Sequence, residues 1–509
     1  MIESNYKKVV YLLLGCICLA LARGDWPMAL PGFLYAYFLL RYTRSKIGFS
    51  GGLALFVGIF AAAAVGLQNR NSFFPLPLVI VLTILTTIII ALPFLLDRFF
   101  YRRTRGFIQC LIFPALLTSQ DFLQSLPVGT GILSSLGLSQ LDSTILTQAS
   151  TLFGVFSVTF AAAFIGALLN WMQDQQWRWE KIRLPVVVAV CLVGMLWMYG
   201  DIRIKYKDMG ETTRVAGIIA RENDLRVDPA QKDRNYWKTK LSSEADVKYV
   251  LTRTKKAIDA GAKIIAWSED YLFIDQKHQE VLLNDLSRMA LDHQVYILPA
   301  YLLLKDTITT DHLLINKAVM INAKGEAVFH YIKSYPAIGS ESMMIDQGNK
   351  IIPVTETEYG RIGAVICADM DYPQYIRQAS AKKIDLLLVP GFDWKGISPY
   401  HTQVASVEAM QNGTALLRVC KNGLSAAYDS IGRRVGQLND FTSMEDIFIS
   451  DIPIKRSFTF YGAIGWVFPY VILGLAIGLF AWYLFLRMPK EIMNALNHRK
   501  RQKAAENGI

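Results

Sequence analysis

The sequence predicts a polytopic α-helical membrane domain joined to an α/β domain. Of its 509 residues, 52% are hydrophobic, and they cluster in runs long enough to cross a bilayer. Basic residues gather in alternate loops between these runs. From about residue 207 to residue 461 the pattern changes to short apolar strands alternating with amphipathic helices. We therefore expect a membrane domain at 1–206, an α/β domain at 207–461, and a last span with a basic tail at 462–509.

Seven predicted spans precede the α/β domain and one follows it. Each supplies a largely apolar stretch, because no water satisfies backbone polar groups inside the bilayer. The first is interpreted as a retained helix rather than a cleaved signal peptide, since another hydrophobic segment follows directly. The spans lie at about 8–22, 27–41, 50–68, 75–97, 106–121, 149–172, 183–200 and 463–486.

Positive charge indicates how these spans are oriented. All the strongly basic loops fall on one side if the amino terminus is cytoplasmic, which places the α/β domain on the periplasmic or extracellular side of a bacterial inner membrane. The net charge of +11 is then explained by membrane orientation and by attraction to anionic lipid, rather than by nucleic-acid binding. The basic residues concerned are Lys7, Lys8, Arg41, Arg44, Lys46, Arg98, Arg102, Arg103, Arg105, Arg178, Lys181, Arg183, Arg487, Lys490, Arg499, Lys500, Arg501 and Lys503.

The α/β domain shows alternating strand and helix patterns with few turns between them. A turn is expected at Asn322–Gly325 and a hairpin at Asp429–Gly432. Predicted strands are Arg214–Ala220, Lys263–Trp267, Val295–Leu304, Leu313–Ile321, Ala327–Lys333, Ile362–Ile366, Asp385–Pro390 and Ala415–Val419; predicted helices are Ser243–Ala260, Gln279–Asp292, Gln374–Ala381 and Tyr400–Gln411. The segment Phe448–Ile454 leads back to the membrane.

Three of these strands end in residues with complementary chemistry. Glu269 follows one strand, Lys333 ends a second, and Cys367 follows a third. If the strands share a sheet, the three side chains can converge at one edge. The lysine ammonium would favour a thiolate and stabilise an oxyanion, and the carboxylate would take and return the proton. A small core residue is the other interpretation of a buried cysteine.

In that order, Glu269, Lys333 and Cys367 resemble the Glu-Lys-Cys triad of the nitrilase (carbon–nitrogen hydrolase) superfamily. The spacing from Lys333 to Glu341 is similar to that of its membrane-embedded branch, the apolipoprotein N-acyltransferases. Further segments resemble that branch: Ser139–Asp142, Leu152–Phe160, His401–Ala405 and Leu416–Gly423. The resemblance implies that the α/β domain is a nitrilase-type αββα sandwich, with two packed sheets covered by helices.

The same resemblance implies an N-acyltransferase. Cys367 would take a fatty acyl chain from a membrane phospholipid as a thioester, with Glu269 as general base and Lys333 at the oxyanion. The amino-terminal amine of a diacylglyceryl lipoprotein would then accept the chain. Glu341 would position the base or the lysine, with Asp369 as a second supporting acid. No cofactor is implied, and we expect a monomer.

Several positions depart from the branch. Asp369 stands where the branch has glutamate two residues after the cysteine, and Gln411 replaces another glutamate. The tryptophan-containing loop after the next strand reads Phe392–Gly396, and Leu126–Leu138 contains no tryptophan. These changes bear on the lipid and acceptor more than on the chemistry.

Other interpretations remain open at this stage. The same triad would serve a membrane-tethered, amidase-like hydrolase, and a non-catalytic acyl-binding protein could retain the fold. His401 could form a Cys–His dyad or be an ordinary polar residue at a helix start. Cys420 is a nearby candidate for a disulfide with Cys367. Trp267 and Trp394 are either core residues or line an acyl pocket. No CxxC or HxxxH metal pattern occurs.

Overall fold

The computed structural model describes residues 5–45, 48–126, 131–206, 210–220, 233–306, 312–337 and 341–488. The predicted basic tail from Lys490 onward and part of the Leu126–Leu138 loop lie outside these residues.

The amino-terminal part is a bundle of apolar helices. Seven helical stretches of the described chain are long and apolar enough to cross a membrane. They correspond to seven of the eight predicted spans; the remaining one, the second, is a helix of 16 residues that packs against the first. The helices are α1 Asn5–Arg23, α2 Ala29–Arg44, α3 Phe49–Gly66, α4 Leu76–Tyr101, α5 Gln109–Gln124, α6 Thr144–Thr147, α7 Ser150–Phe153, α8 Val155–Asp174 and α9 Trp179–Tyr206, with α16 Phe460–Ala463 and α17 Phe468–Trp482 after the α/β domain.

Charged residues inside the bundle are paired. Arg44 donates to both carboxylate oxygens of Asp97, at 2.8 and 2.9 Å. Arg23 donates to Asp121 at 3.0 Å, and Asp121 also accepts the backbone N–H of Leu136 at 2.8 Å. An unpaired charge is costly in a low-dielectric interior, so these pairs allow arginine and aspartate to cross-link apolar helices.

The α/β domain contains two sheets. The strands are β1 Thr212–Ile218, β2 Ile264–Trp267, β3 Leu272–Asp275, β4 Tyr296–Leu298, β5 Ala300–Leu304, β6 Leu314–Ile321, β7 Ala327–Ile332, β8 Val354–Thr357, β9 Gly360–Ala364, β10 Leu386–Phe392, β11 Ala415–Lys421, β12 Leu424–Tyr428, β13 Arg434–Asn439 and β14 Ile447–Pro453. The first sheet has the order β14-β1-β2-β4-β6-β5-β3, with β7 also paired to β6; the second has the order β13-β12-β11-β10-β9-β8. The helices are α10 Arg234–Lys238, α11 Glu244–Asp259, α12 Gln276–His293, α13 Pro373–Ile376, α14 Gln378–Ala381 and α15 Tyr400–Gln411.

Side-chain alternation along β2 shows how the layers stack. Ile264 and Ala266 point into a core shared with Leu386 and Leu388 of the second sheet. Ile265 and Trp267 point the other way, toward α11 and α12. Because successive side chains of a strand face opposite sides, one short apolar strand serves both cores. The result is the helix–sheet–sheet–helix sandwich that the resemblance implied.

Some predicted elements differ from the structure. The predicted strand Val295–Leu304 is two strands, β4 and β5, interrupted at Pro299, which has no N–H to donate to a ladder. The predicted helix Gln374–Ala381 is two single turns, α13 and α14. The hairpin turn at Asp429–Gly432 is confirmed, with β12 and β13 antiparallel on either side and Gly432 at φ 80°.

Membrane-domain loops contact the α/β domain close to the end of β9. The guanidinium of Arg70 lies over the Tyr400 ring at 3.7 Å, and Trp394 Nε1 donates to the carbonyl of Arg70 at 3.0 Å. Gly131, at φ 70°, packs so tightly on Asp371 that an added Cβ would lie 2.6 Å from the Asp371 carbonyl oxygen. Glycine is required here because the backbone has a positive φ and because there is no space for a side chain.

Candidate active site

The three predicted triad residues lie where strands of both sheets end. Glu269 follows β2 and Lys333 follows β7, both in the first sheet, whereas Cys367 follows β9 in the second. The expectation of a shared sheet edge is therefore wrong: the residues meet between the two packed sheets. The N–H of Glu269 donates across to the carbonyl of Gly391 in β10 at 3.4 Å, which joins the two sheets at this point.

Lys333 is the centre of the polar contacts. Its Nζ donates to Glu269 Oε1 at 2.7 Å and lies 2.8 and 2.7 Å from the two oxygens of Glu341. Asn316, on β6, donates from Nδ2 to Glu269 at 2.8 Å and to Glu341 at 3.1 Å. Burial opposes the charge on Lys333, but Glu269 and Glu341 outweigh it and hold the pKa of Lys333 well above its usual value. The lysine is therefore a fixed cation.

Glu269 keeps one oxygen available. The residue is only 2% exposed, and among the described residues its Oε2 has no hydrogen-bond partner, whereas Oε1 accepts from Lys333 and Asn316. A buried carboxylate oxygen without a donor is energetically unfavourable at rest. That arrangement suits a proton acceptor, because one oxygen is held in place while the other has free lone pairs.

Cys367 occupies a strained turn. It has φ 49°, an uncommon value for a residue with a Cβ, and it opens the single 3₁₀ turn Cys367–Asp371. Its thiol lies 3.6 Å from the carbonyl oxygen of Phe392.

Asp369 holds this turn against the strand that carries Lys333. Its Oδ1 accepts the N–H groups of Ser334 (3.1 Å) and Tyr335 (2.7 Å). Its Oδ2 accepts the N–H of Ile366 (2.9 Å) and the hydroxyl of Tyr331 (2.5 Å). Burial raises the pKa of Asp369 to about 7, against the effect of these donors. The shorter acid at this position is thus a structural link between the turn that carries Cys367 and the segment around Lys333.

The thiol is protonated at rest. Burial raises the pKa of Cys367 well above its ordinary value and Glu269 adds to the rise, while Lys333 and then Arg418 oppose it. Lys333 acts on the thiol in the predicted direction. Desolvation of a thiol that is 5% exposed is nevertheless the larger effect, so the pKa of Cys367 stays raised. The proton must therefore leave during the reaction.

A second charged cluster lies on the other side of Cys367. His401 donates from Nδ1 to Asp393 Oδ1 at 2.6 Å and from Nε2 to Asp371 Oδ1 at 3.1 Å. Arg418 Nη2 donates to the same Asp393 oxygen at 2.8 Å. Burial and Arg418 lower the pKa of His401, but the two aspartates outweigh them and raise it to about 9. With both ring nitrogens donating, His401 has no lone pair to accept the thiol proton, which argues against the Cys–His dyad.

Cys367, Asp393 and His401 each bring one potential ligand atom within 4.8 Å of the others. These residue types also bind zinc. Here the guanidinium of Arg418 already contacts both Asp393 and His401, at 2.8 and 2.9 Å. A resident positive charge and two occupied histidine nitrogens make this an ion-pair network rather than a metal centre.

The two tryptophans lie in different surroundings. Trp267 is fully buried among residues of α11 and α12, and its Nε1 donates to Thr254 at 3.1 Å. It faces away from the core that contains Cys367, which favours the first of its two interpretations, a core residue, over a place in an acyl pocket. Trp394 is half-buried, and its ring lies 5.6 Å from that of Phe73 in a membrane-domain loop.

The sequence reasoning did not assign four residues that contact these groups. Asn316 and Arg418 are buried polar residues within largely apolar strands, which is a recognisable signal for a buried polar role. Asp371 and Asp393 follow β9 and β10 at the same end as Cys367, but sequence gave no indication of their partners. All six cysteines are free, so Cys367 and Cys420 are not joined.

Two family profiles match the chain. One, described as "Apolipoprotein N-acyltransferase N-terminal domain", matches residues 15–168, and the other, "Carbon-nitrogen hydrolase", matches residues 230–457. Relatives named apolipoprotein N-acyltransferase are similar over most of their length. That of Azotobacter vinelandii is 24% identical, covering 91% of each chain. That of Geobacter metallireducens is 22% identical, covering 83% of this chain and 84% of the relative.

Among solved structures, the chain is similar to an amidase from Nesterenkonia sp.. The sequence identity is 16%, and the TM-score is 0.40. The match covers 50% of this chain and 94% of the amidase.

Proposed function

Because the chain belongs to the apolipoprotein N-acyltransferase family, the membrane-embedded branch of the carbon–nitrogen hydrolases, we propose that it moves a fatty acyl chain from a membrane phospholipid to the amino-terminal amine of a diacylglyceryl lipoprotein. The observation that carries the proposal is the buried Glu269–Lys333–Glu341 cluster with its free Glu269 Oε2, next to Cys367.

In the first half-reaction, Glu269 accepts the thiol proton as the Cys367 sulfur attacks the ester carbonyl carbon. Lys333, held charged by Glu269 and Glu341, stabilises the oxyanion of the tetrahedral intermediate. The carbon–oxygen bond then breaks, and Glu269 returns the proton to the departing lysophospholipid. The acyl chain remains on Cys367 as a thioester.

In the second half-reaction, the neutral amine of the acceptor attacks the thioester carbonyl. Glu269 removes a proton from the attacking nitrogen, and the carbon–sulfur bond breaks. The proton passes to the sulfur, which restores the thiol. Trp394, half-buried beside Phe73, is our candidate for a contact with the acyl chain, because it contacts a membrane-domain loop and lies two residues after Phe392, whose carbonyl oxygen contacts the thiol.

Intact-mass measurement of the purified protein mixed with phospholipid tests the first half-reaction. We expect one acyl adduct, which proteolysis places on Cys367. Cys367→Ala should show no adduct, and Cys367→Ser almost none, since an alkoxide is far less available than a thiolate near neutral pH. Cys420→Ala is the matched control and should acylate normally; an adduct that survives in Cys367→Ala would refute the assignment.

The acceptor distinguishes transfer from hydrolysis. With a diacylglyceryl peptide bearing a free amino terminus, the acylated protein should yield an amide. Release of free fatty acid at the same rate with and without the peptide would favour an amidase-like hydrolase instead.

A further inference from the structure

The buried cluster beside Cys367 has no role in the steps given above. It comprises Asp371, Asp393, His401 and Arg418, each of them at most 5% exposed. Two carboxylates face two cations, because the His401 imidazole is doubly hydrogen-bonded to carboxylates and the guanidinium of Arg418 is always charged. The cluster is therefore neutral as a whole, although each member is fully desolvated.

Its contacts connect the two chain segments that flank the nucleophile. Asp371 ends the turn that Cys367 begins, and Asp393 directly follows Phe392, whose carbonyl oxygen contacts the thiol at 3.6 Å. His401, from α15, binds Asp371 with one nitrogen and Asp393 with the other. One imidazole ring therefore fixes the distance between these segments, and a potential ligand nitrogen of the ring lies within 4.8 Å of the Cys367 sulfur.

The charge of the ring matters as much as its bonds. Without it, two carboxylates would share the single cation of Arg418, leaving one uncompensated negative charge beside a sulfur that must itself become negative. Like charges in a buried site strongly disfavour ionisation. The other charged groups facing the thiol are Glu269, which disfavours the thiolate, and Lys333, which favours it.

We propose that His401 is a positioning residue for Cys367. The positive charge of His401 balances the negative charges of Asp371 and Asp393, so that these two carboxylates can fix the nucleophile turn, Cys367–Asp371, without suppressing thiolate formation. The role is distinct from that of a dyad base, since the ring never takes the thiol proton. It rests on the proposed function of Cys367 as the nucleophile.

Charge-balanced substitutions separate this role from a purely structural one. His401→Gln leaves the cluster one unit more negative, and Asp371→Asn leaves it one unit more positive. The double variant is neutral again and retains side chains of similar size. The readout is the second-order rate of Cys367 alkylation by iodoacetamide in the full-length protein, located by mass spectrometry between pH 6 and 10. Because alkylation needs neither lipid nor amine, it is independent of whether the protein is an acyltransferase.

We expect His401→Gln to slow alkylation at pH 7 by roughly 10- to 100-fold, as for one added charge at this range. Asp371→Asn should alkylate faster than wild type, and the double variant should return to within a few-fold of wild type. The ratio of the alkylation rate of wild type to that of His401→Gln should fall as pH rises through about 9, because the imidazolium loses its proton there.

Equal rates for wild type and His401→Gln at pH 7 would overturn the proposal. So would a double variant as slow as His401→Gln, since that result would mean that the bonds matter and the charge does not. If His401→Gln does not fold, the Asp371→Asn variant still tests the proposal. The proposal requires Cys367 in that variant to be alkylated faster than in wild type, and an equal or slower rate would refute it.

Discussion

At the scale of single residues, the two carboxylate oxygens of Glu269 differ in their hydrogen bonding, and the proposed chemistry depends on that difference. One oxygen is fixed by Lys333 and Asn316, and the other has no donor. Lys333 is in turn fixed by two carboxylates, so its charge cannot move away from the thiol as a solvent-exposed lysine could. Burial keeps the pKa of the Cys367 thiol raised, so the proposed reaction requires a proton acceptor beside the sulfur.

Lys333→Met and Glu269→Gln should therefore have opposite effects on thiol reactivity although both reduce turnover. We expect each to lower turnover by roughly 100-fold or more, as for loss of an oxyanion donor or a general base. Without Lys333, alkylation of Cys367 should need higher pH; without the negative charge of Glu269, it should proceed at lower pH. Alkylation rates across pH measure this difference.

Lys324→Met and Glu280→Gln are matched controls, because both residues are exposed. Neither should change turnover or alkylation. Superimposable alkylation profiles for wild type, Lys333→Met and Glu269→Gln would show that neither residue acts on Cys367, and the triad would be abandoned.

At the scale of elements, the nucleophile turn is held from two directions. Asp369 joins it to the end of β7, and Asp371 joins it through His401 to the end of β10. A strained φ at Cys367 persists only when surrounding contacts determine it, and these two acids supply such contacts.

Asp369→Asn tests the first link. An amide has one acceptor oxygen where the carboxylate has two. The NH₂ group of the asparagine would therefore face either the N–H of Ile366 or the N–H groups of Ser334 and Tyr335, and those donors would lose their acceptor. We expect a loss of about 1–3 kcal/mol in the free energy of unfolding for each buried group left unpaired, and slower thioester formation. Thermal unfolding and the acylation rate measure the two effects.

Asp451→Asn is the control for this change. Its partner Arg214 and Asp451 are both about half exposed, so the pair should contribute less than about 1 kcal/mol. If Asp369→Asn unfolds and acylates like wild type, the proposed link has no structural consequence.

The two tryptophans provide a second comparison between elements. Trp267→Phe removes a buried indole and its bond to Thr254, so it should lower the unfolding temperature without changing the preferred donor chain length. Trp394→Ala should alter the preference among donor acyl chains with little effect on unfolding. Acylation by phospholipids of different chain length checks both. The reverse pattern would remove Trp394 from the acyl path.

At the scale of the whole molecule, the catalytic sandwich is bound to the membrane bundle next to its nucleophile. Gly131 of the membrane domain packs on Asp371, and Arg70 stacks on Tyr400 in the helix that carries His401. Both proposed substrates are lipids, so a short path from bilayer to thiol is an advantage of this arrangement.

The distribution of basic loops predicts the orientation of that assembly. We expect a membrane-impermeant maleimide added to spheroplasts to label a cysteine introduced at Lys324, in the exposed turn between β6 and β7, but not one at Arg102. Disrupted spheroplasts, in which both positions should react, are the control. Labelling at Arg102 alone in intact spheroplasts would reverse the proposed orientation.

Much of this fold can be predicted from the linear pattern of residues. Apolar runs of sufficient length specify membrane helices because the bilayer offers no hydrogen bonds, and period-two alternation specifies strands with two buried faces. Residues at strand ends identified Glu269, Lys333 and Cys367, and resemblance supplied the sandwich. Even so, Pro299 divided one predicted strand, and the tight turns after Cys367 replaced one predicted helix.

The charge distribution around Cys367 follows from the three-dimensional arrangement and could not be predicted from the sequence. Nothing in a linear pattern shows that Glu269 and Cys367 approach from different sheets, or that Trp267 faces α11 and α12 rather than the core that contains Cys367. Nor does it show that four charged residues meet beside the thiol: Asp371, Asp393, His401 and Arg418. Sequence spacing fixes which face a side chain occupies, but desolvation and Coulomb interactions depend on distances between segments far apart in the chain. For that reason the sequence indicates that Lys333 favours the Cys367 thiolate, but it does not show that burial has the larger effect on the pKa of the thiol.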